Sequence, residues 1–181
     1  MDINFRKLEP SDTADDFDCG DDSLNEYLRR YAVRDRRRMF GVTYVAVCHQ
    51  PKRIIGYFTL ANTSIPREGL PEELLKGLPK YQGLPAFLLG RLAVDKHLHG
   101  KGIGELLLSH CLEYCLVIAK CSGARYLIAD VKPDAVGWYE RYNFREIKGG
   151  RTAAWKKMFL DLKVANSAID HRAAANASNM H

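Results

Sequence analysis

The stretch GRLAVDKHLHGKGIGELLLSH (residues 90–110) sets glycines at 100, 102 and 104 between two apolar runs. Glycine has no Cβ, so a chain gains there either a positive φ or a close approach of its backbone to another group. The run before the turn, AFLLGRLAVD (residues 86–95), is apolar on both faces and reads as a central strand. The run after it carries Leu107, Leu108, Cys111, Leu112, Cys115, Ile118 and Ala119 at helical spacing, which predicts a long amphipathic helix ending near Gly123. A strand, a glycine turn and a helix start bring free N–H groups and the positive end of a helix dipole to one point. That combination holds anions.

The spacing excludes the two commonest owners of such a turn. After Gly102-x-Gly104 the dinucleotide fingerprint needs glycine at 107, where leucine stands, and Gly100-x-Gly102 meets Glu105. The P-loop needs Gly-Lys-Ser/Thr, and Lys101 is followed by Gly102. A plain turn with tight helix packing is the bland alternative for the glycines, and a solvated charge is the bland alternative for Lys101.

The rest of the chain reads as an ordered α/β succession. A strand over residues 3–10 precedes acidic residues that can cap a helix over SLNEYLRRYAVRDRRRMF (residues 23–40). GVTYVAVCHQ and RIIGYFTLANTSI form a hairpin, and a Pro/Gly-interrupted connection at 66–83 has room for a short helix at PEELLKGL. After the long helix come the strand ARYLIADV, a short helix PDAVGWYERY opened by Pro133, and the strands NFREI and WKKMFLDL. The order is β-α-β-β-β-α-β-α-β-β. A length of 181 residues fits one domain over 1–164, and 165–181, without a stripe, are expected to be a disordered or vector-derived tail.

Composition narrows the class further. Nothing approaches the roughly 18 apolar residues of a membrane helix, and the start lacks a secretory pattern, so a cytoplasmic protein with no membrane role is expected. The five cysteines, Cys19, Cys48, Cys111, Cys115 and Cys121, have no C-x-x-C spacing and read as buried free thiols; no metal site is expected. A net charge of +5 points to an anionic partner.

His99-Gly100-Lys101-Gly102-Ile103-Gly104 resembles the pyrophosphate loop, Gln/Arg-x-x-Gly-x-Gly/Ala, of the GNAT N-acetyltransferase superfamily. AVGWYERYNF resembles the second motif of that family, Ala-x-x-Phe-Tyr-Glu-x-x-Gly-Phe, and the two lie at the family's separation within residues 3–163. The resemblance implies an α/β (α+β) fold whose central mixed, mostly antiparallel sheet splays at the acetyl-CoA site, with helices on both faces. It implies that Leu92, Ala93 and Val94 bind the pantetheine arm, with the Val94 N–H on the thioester oxygen, and that the loop 99–104 holds the pyrophosphate. It also implies that Tyr139 is the general acid. A phenol with a pKa near 10 stays protonated at pH 7 and can donate to a departing thiolate. A core aromatic is the alternative for Tyr139, and Tyr142 falls at the family's apolar position.

Three departures stand out. His99 replaces Gln/Arg, Lys132 stands where many members carry an Asn, whose contact is therefore not carried over, and Asn143 replaces a glycine whose left-handed conformation Asn tolerates next best. No base is evident; Asp95 is a candidate by proximity, with an exposed turn carboxylate as its alternative.

FDCGDDSLNEYLRRYA is similar to the opening of GNAT-type toxins, which acetylate the α-amine of aminoacyl-tRNA and pair with a ribbon-helix-helix antitoxin. Arg29, Arg30, Arg34, Arg36, Arg37 and Arg38 crowd the end of the first helix, and Arg34, Arg36, Arg37 and Arg38 are the candidates for tRNA phosphates. A solvated helix end is the alternative. A homodimer is compatible with this reading. Acetylation of a small amine or protein N-terminus stays open as the other enzyme reading, and a non-catalytic acyl-CoA-binding module as the non-enzyme one.

Overall fold

The hairpin VTYVAVCH and KRIIGYFTLANTSIP, dense in β-branched and aromatic residues, forms β2 (Val42–His49) and β3 (Lys52–Pro66), paired antiparallel. The computed structural model describes residues 2–50, 52–151 and 154–165, with the backbone alone at 148–151. β1 (Ile3–Lys7) pairs antiparallel with β2. β4 (Gly83–Val94), β5 (Tyr126–Val131), β6 (Arg145–Arg151) and β7 (Lys156–Asp161) complete seven strands in the order β1-β2-β3-β4-β5-β7-β6. The helices are α1 (Asp22–Glu26), α2 (Ala32–Arg37), α3 (Glu72–Leu75), α4 (Ile103–Ser122) and α5 (Val136–Glu140). The expected tail, apart from Ala165, lies outside the described residues.

The chain divides into two compact units, Met1–Asn62 with Leu88–Glu113, and Thr63–Phe87 with Tyr114–His181. In the first, Phe17, Tyr27, Leu28, Val45 and Tyr57 pack as a core that also takes Ala93 from β4. The register of β2 on β3 shifts between Ala46 and Val47, so Ala46 faces Gly56 and Val47 faces Ile54. A Cβ on Gly56 would lie 2.7 Å from Leu107 Cδ1 and 3.0 Å from the Ala93 carbonyl oxygen. Glycine there lets α4 settle on β3 and β4.

In the second unit β5 and β7 pair antiparallel and bury Leu127, Ile128, Met158, Phe159 and Leu160. Arg125 grips the buried Asp161 through Nη2 at 2.7 Å and Nε at 3.2 Å. Arg67 donates from Nη1 to the Pro79 carbonyl at 2.6 Å, tying down the connection that includes α3.

The helical arm departs from the single helix expected over 23–40. Asp21 caps it by accepting from the Ser23 and Leu24 N–H groups. A π-helical turn then runs over Tyr27–Tyr31, in which the Ala32 N–H reaches back five residues to the Tyr27 carbonyl. The buried Tyr57 hydroxyl donates to the Leu24 carbonyl at 2.8 Å, and Arg91 lies 3.5 Å over the Tyr27 ring. A hydroxyl from β3 thus takes a carbonyl of the helix ladder at the point where its repeat widens. PDAVGWYERY likewise divides, into a 3₁₀ turn at Pro133–Ala135 and then α5.

All five cysteines are free thiols; Cys48, Cys111 and Cys115 are buried, whereas Cys19 is half-buried and Cys121 exposed. No helix among the described residues is long and apolar enough to cross a membrane.

Candidate functional site

β4 ends at Val94 and the chain turns through a 3₁₀ segment, Lys96–Leu98, into the glycine loop. Gly100 and Gly102 take φ of +74° and +78°, and a Cβ built on either meets nothing within 4 Å. Their absent side chains leave open space over the backbone. The first α4 bond runs from the Leu106 N–H to the Gly102 carbonyl at 3.1 Å, so Gly102 is the N-cap. The N–H groups of Gly102, Ile103, Gly104 and Glu105 therefore have no acceptor within the helix. Ile103 is buried and anchors the turn, while Gly100, Lys101 and Gly102 are exposed. This is a cradle of donors at the positive end of a 20-residue helix.

His99 turns inward. A carbonyl only accepts, so Nε2 carries the hydrogen and donates to the Val94 carbonyl at 2.9 Å. That bond binds the end of β4 to the start of the loop and commits the His99 donor to the backbone rather than to a phosphate. Leu92 and Val94 are half-buried and Ala93 is buried among the core residues.

Asp95 is not an exposed turn carboxylate. It is 1% exposed, accepts the His97 N–H at 3.0 Å and lies 3.5 Å from Arg53 Nη1. Its own N–H donates to the Ile55 carbonyl at 2.9 Å. The residue caps the 3₁₀ turn, and a carboxylate so enclosed is poorly disposed to take a proton from an incoming amine.

A clamp that sequence reasoning did not single out fixes the same turn from the other side. The Lys96 N–H donates to the Asp18 carbonyl at 2.8 Å, and Lys96 Nζ pairs with Asp18 Oδ2 at 2.6 Å. Asp18 Oδ1 accepts from the Gly20 N–H and from Asn25 Nδ2, while Asn25 Oδ1 accepts the Cys19 N–H. Asn25 is buried, and Gly20 sits at φ +83°. Lys96 holds the Asp18 carboxyl well below the usual carboxylate range, with help from Gly20 and Asn25. The detectable signal was a polar Asn on the buried face of FDCGDDSLNEYL.

The arginines separate into two kinds. Arg29 donates to the carbonyls of Ala14, Asp15 and Phe17, and Arg36 donates to the Leu8 carbonyl at 2.6 Å and approaches Glu9. These two brace the fold. Arg34, Arg37 and Arg38 are exposed at the end of α2, with Arg34 3.7 Å from Asp35 and 4.5 Å over the Tyr31 ring.

In the second unit, α5 carries Tyr139. Its half-buried ring meets Phe144 edge-on at 5.1 Å and Trp138 at 4.9 Å. The Phe144 N–H donates to the Tyr139 carbonyl across a turn whose Asn143 has φ +65°, so asparagine does take the left-handed position of the usual glycine. Tyr142 packs on Trp138 at 4.8 Å. Lys132 lies 5.8 Å from the Trp155 ring. Among the described residues no group of three His, Cys, Asp or Glu side chains could hold a metal ion.

Residues 41–146, more than half of the chain, match the acetyltransferase (GNAT) domain. The chain belongs to that family. Its fold places the glycine cradle at the loop and helix start that carry the GNAT motif in the sequence, and the chain is an N-acetyltransferase. It is 29% identical over 140 residues to a tRNA-acetylating toxin of Mycobacterium tuberculosis, covering 77% of this chain and 82% of that protein. Among solved structures it resembles AtaT complexed with acetyl-methionyl-tRNAfMet, at TM-score 0.84 and 25% identity over 93% of this chain and 99% of that one. A tyrosine-to-phenylalanine mutant of KacT is similar at TM-score 0.83 and 25% identity, over the same shares of the two chains.

Proposed function

We propose that this GNAT enzyme transfers the acetyl group of acetyl-CoA to the α-amine of the amino acid on charged tRNA, and so acts in the cytoplasm as a toxin on translation. The observation that carries the acetyl-CoA part is the open cradle at Gly100 and Gly102 with the N–H groups at the start of α4, an arrangement able to hold a diphosphate. The tRNA part is supported by the relatives named for tRNA acetylation, and by the exposed Arg34, Arg37 and Arg38. A ribbon-helix-helix antitoxin and a homodimer belong to the same reading.

The glycine loop, braced by the His99 side chain on Val94, binds the pyrophosphate through the N–H groups at its helix start, and Leu92, Ala93 and Val94 lie along the pantetheine arm. The Val94 carbonyl is held by His99, and the Val94 N–H is the group assigned to the thioester oxygen. The amine nitrogen attacks the thioester carbon, a C–N bond forms, and the C–S bond breaks. Tyr139 gives its phenolic proton to the departing sulfur and regains one from solvent. An α-amine has a pKa near 7.7–8.0, so a useful fraction is neutral at pH 7 and sheds its proton to water after attack. No dedicated base is required, in keeping with an Asp95 sealed into its turn.

Tyr139→Phe tests the assignment because it keeps the ring and its packing. Turnover on charged tRNA should fall about 10²–10⁴-fold while acetyl-CoA affinity by calorimetry stays the same. Turnover at the wild-type rate would reduce Tyr139 to a packing residue.

A further inference from the structure

The exposed end of α2 has a composition that phosphate contacts alone do not explain. Arg38 closes the helix, and Met39 then takes φ +61°. The Met39 N–H donates to the Arg36 carbonyl and the Phe40 N–H to the Asp35 carbonyl, both at 3.0 Å. This pair of hydrogen bonds is a Schellman stop, whose left-handed residue is usually glycine. The residue after it normally packs on an apolar residue one turn back. Here that earlier residue is Asp35, so the motif offers Phe40 no apolar partner. Met39 is 90% exposed and Phe40 70% exposed, the two most exposed large apolar side chains among the described residues.

Beside them stand the exposed Arg34, Arg37 and Arg38, and among the described residues neither Arg37 nor Arg38 has an ion-pair partner. An accessible aromatic ring among unpaired guanidinium groups suits unpaired nucleic acid. Bases stack on the ring while the arginines meet the phosphates. A membrane surface would favour a longer apolar face than this turn presents.

We propose that Met39 and Phe40 form a stacking knuckle that receives an unpaired base of the tRNA, with Arg37 and Arg38 on the flanking phosphates. The proposal rests on the reading of charged tRNA as substrate. Stacking carries little charge, so Phe40 and the arginines leave different signatures. Removing the ring weakens binding without changing its dependence on salt, whereas removing an arginine flattens that dependence.

The experiment is a fluorescence-anisotropy titration of full-length protein with labelled tRNA over a range of salt, for wild type, Phe40→Ala, Phe40→Trp and the double variant Arg37→Ala/Arg38→Ala. Acetyl-CoA affinity is measured alongside as a check on folding. Phe40→Ala should weaken tRNA binding roughly 5- to 100-fold with an unchanged salt slope. Phe40→Trp should keep wild-type affinity, and the arginine variant should bind with a shallower slope. If wild type binds and acetylates charged tRNA but Phe40→Ala binds as tightly, the knuckle is overturned and the substrate reading stands. The same holds if Phe40→Ala leaves tRNA affinity unchanged and instead turns a dimer into a monomer by sedimentation, which would make the turn an interface between copies. If wild type neither binds nor acetylates charged tRNA, the substrate reading fails and the knuckle falls with it.

Discussion

Gly102 and Gly56 are both required to be glycine, for opposite reasons. At Gly102 the space is open and the backbone is the constraint, since φ is +78°. Gly102→Ala should cost about 1–2 kcal/mol from the left-handed conformation while the protein still folds. Gly102→Glu adds negative charge at the proposed pyrophosphate site, and calorimetry should find acetyl-CoA binding lost. Gly56→Ala should cost about 1–3 kcal/mol by overpacking, because its Cβ meets Leu107 and the Ala93 carbonyl. Denaturant midpoints compare the two. Alanine at either position without loss of stability would contradict the explanation given for that glycine. Gly102 was legible from spacing alone, since an alternating run of glycines before a helical stripe has few uses. Gly56 was not, because a glycine inside a β-branched strand reveals nothing of the helix that will press on it from far along the chain.

Whole elements show the same divide between local and distant causes. The N-cap at Asp21, the stop of α4 at Gly123 and the hairpin of β2 and β3 follow from local patterns and appear in the structure. The π turn coincides with a hydroxyl from β3 on the Leu24 carbonyl and an arginine from β4 over the Tyr27 ring, contacts that no helical periodicity announces. The arginine run read as one cluster, yet Arg29 and Arg36 reach backbone carbonyls that only the folded chain brings near. The Asp18–Lys96 clamp is likewise tertiary. Asn25→Ala would leave the Cys19 N–H without its acceptor, at a cost of about 1–3 kcal/mol, and loosen the turn before the glycine loop. Acetyl-CoA affinity should fall with it, by calorimetry. The Asp18 carboxyl titrates below its unfolded value of about 4, so its contribution is complete above that pH and fades as pH falls towards the folded value. Lys96 is raised by the same pair, so its contribution is complete below its unfolded value of about 10.4 and fades as pH rises through the folded one. Asp18→Asn should therefore flatten the acid limb of thermal stability below about pH 4; an unchanged limb would show that the pair contributes nothing there.

For the molecule as a whole, a net charge of +5 and three exposed arginines at one helix end predict an affinity for tRNA that depends steeply on salt. Neutralising Arg34, Arg37 and Arg38 together should lower the slope of log affinity against log salt by roughly 0.7–0.9 for each phosphate no longer neutralised. Arg36 belongs outside that set, since replacing it would strip the Leu8 carbonyl of its donor and confuse binding with folding. Acetyl-CoA binding, which the proposal puts at the glycine cradle, should be indifferent to the triple change. The most direct test is to incubate the protein with acetyl-CoA and charged tRNA, digest the tRNA with nuclease and identify the aminoacyl-adenosine by mass spectrometry. The predicted product carries an added acetyl group on the α-amine of the amino acid, absent when Tyr139→Phe replaces wild type under the same short incubation. Charged tRNA recovered without acetyl, while a free amine in the same mixture is acetylated, would contradict the assignment of charged tRNA as substrate.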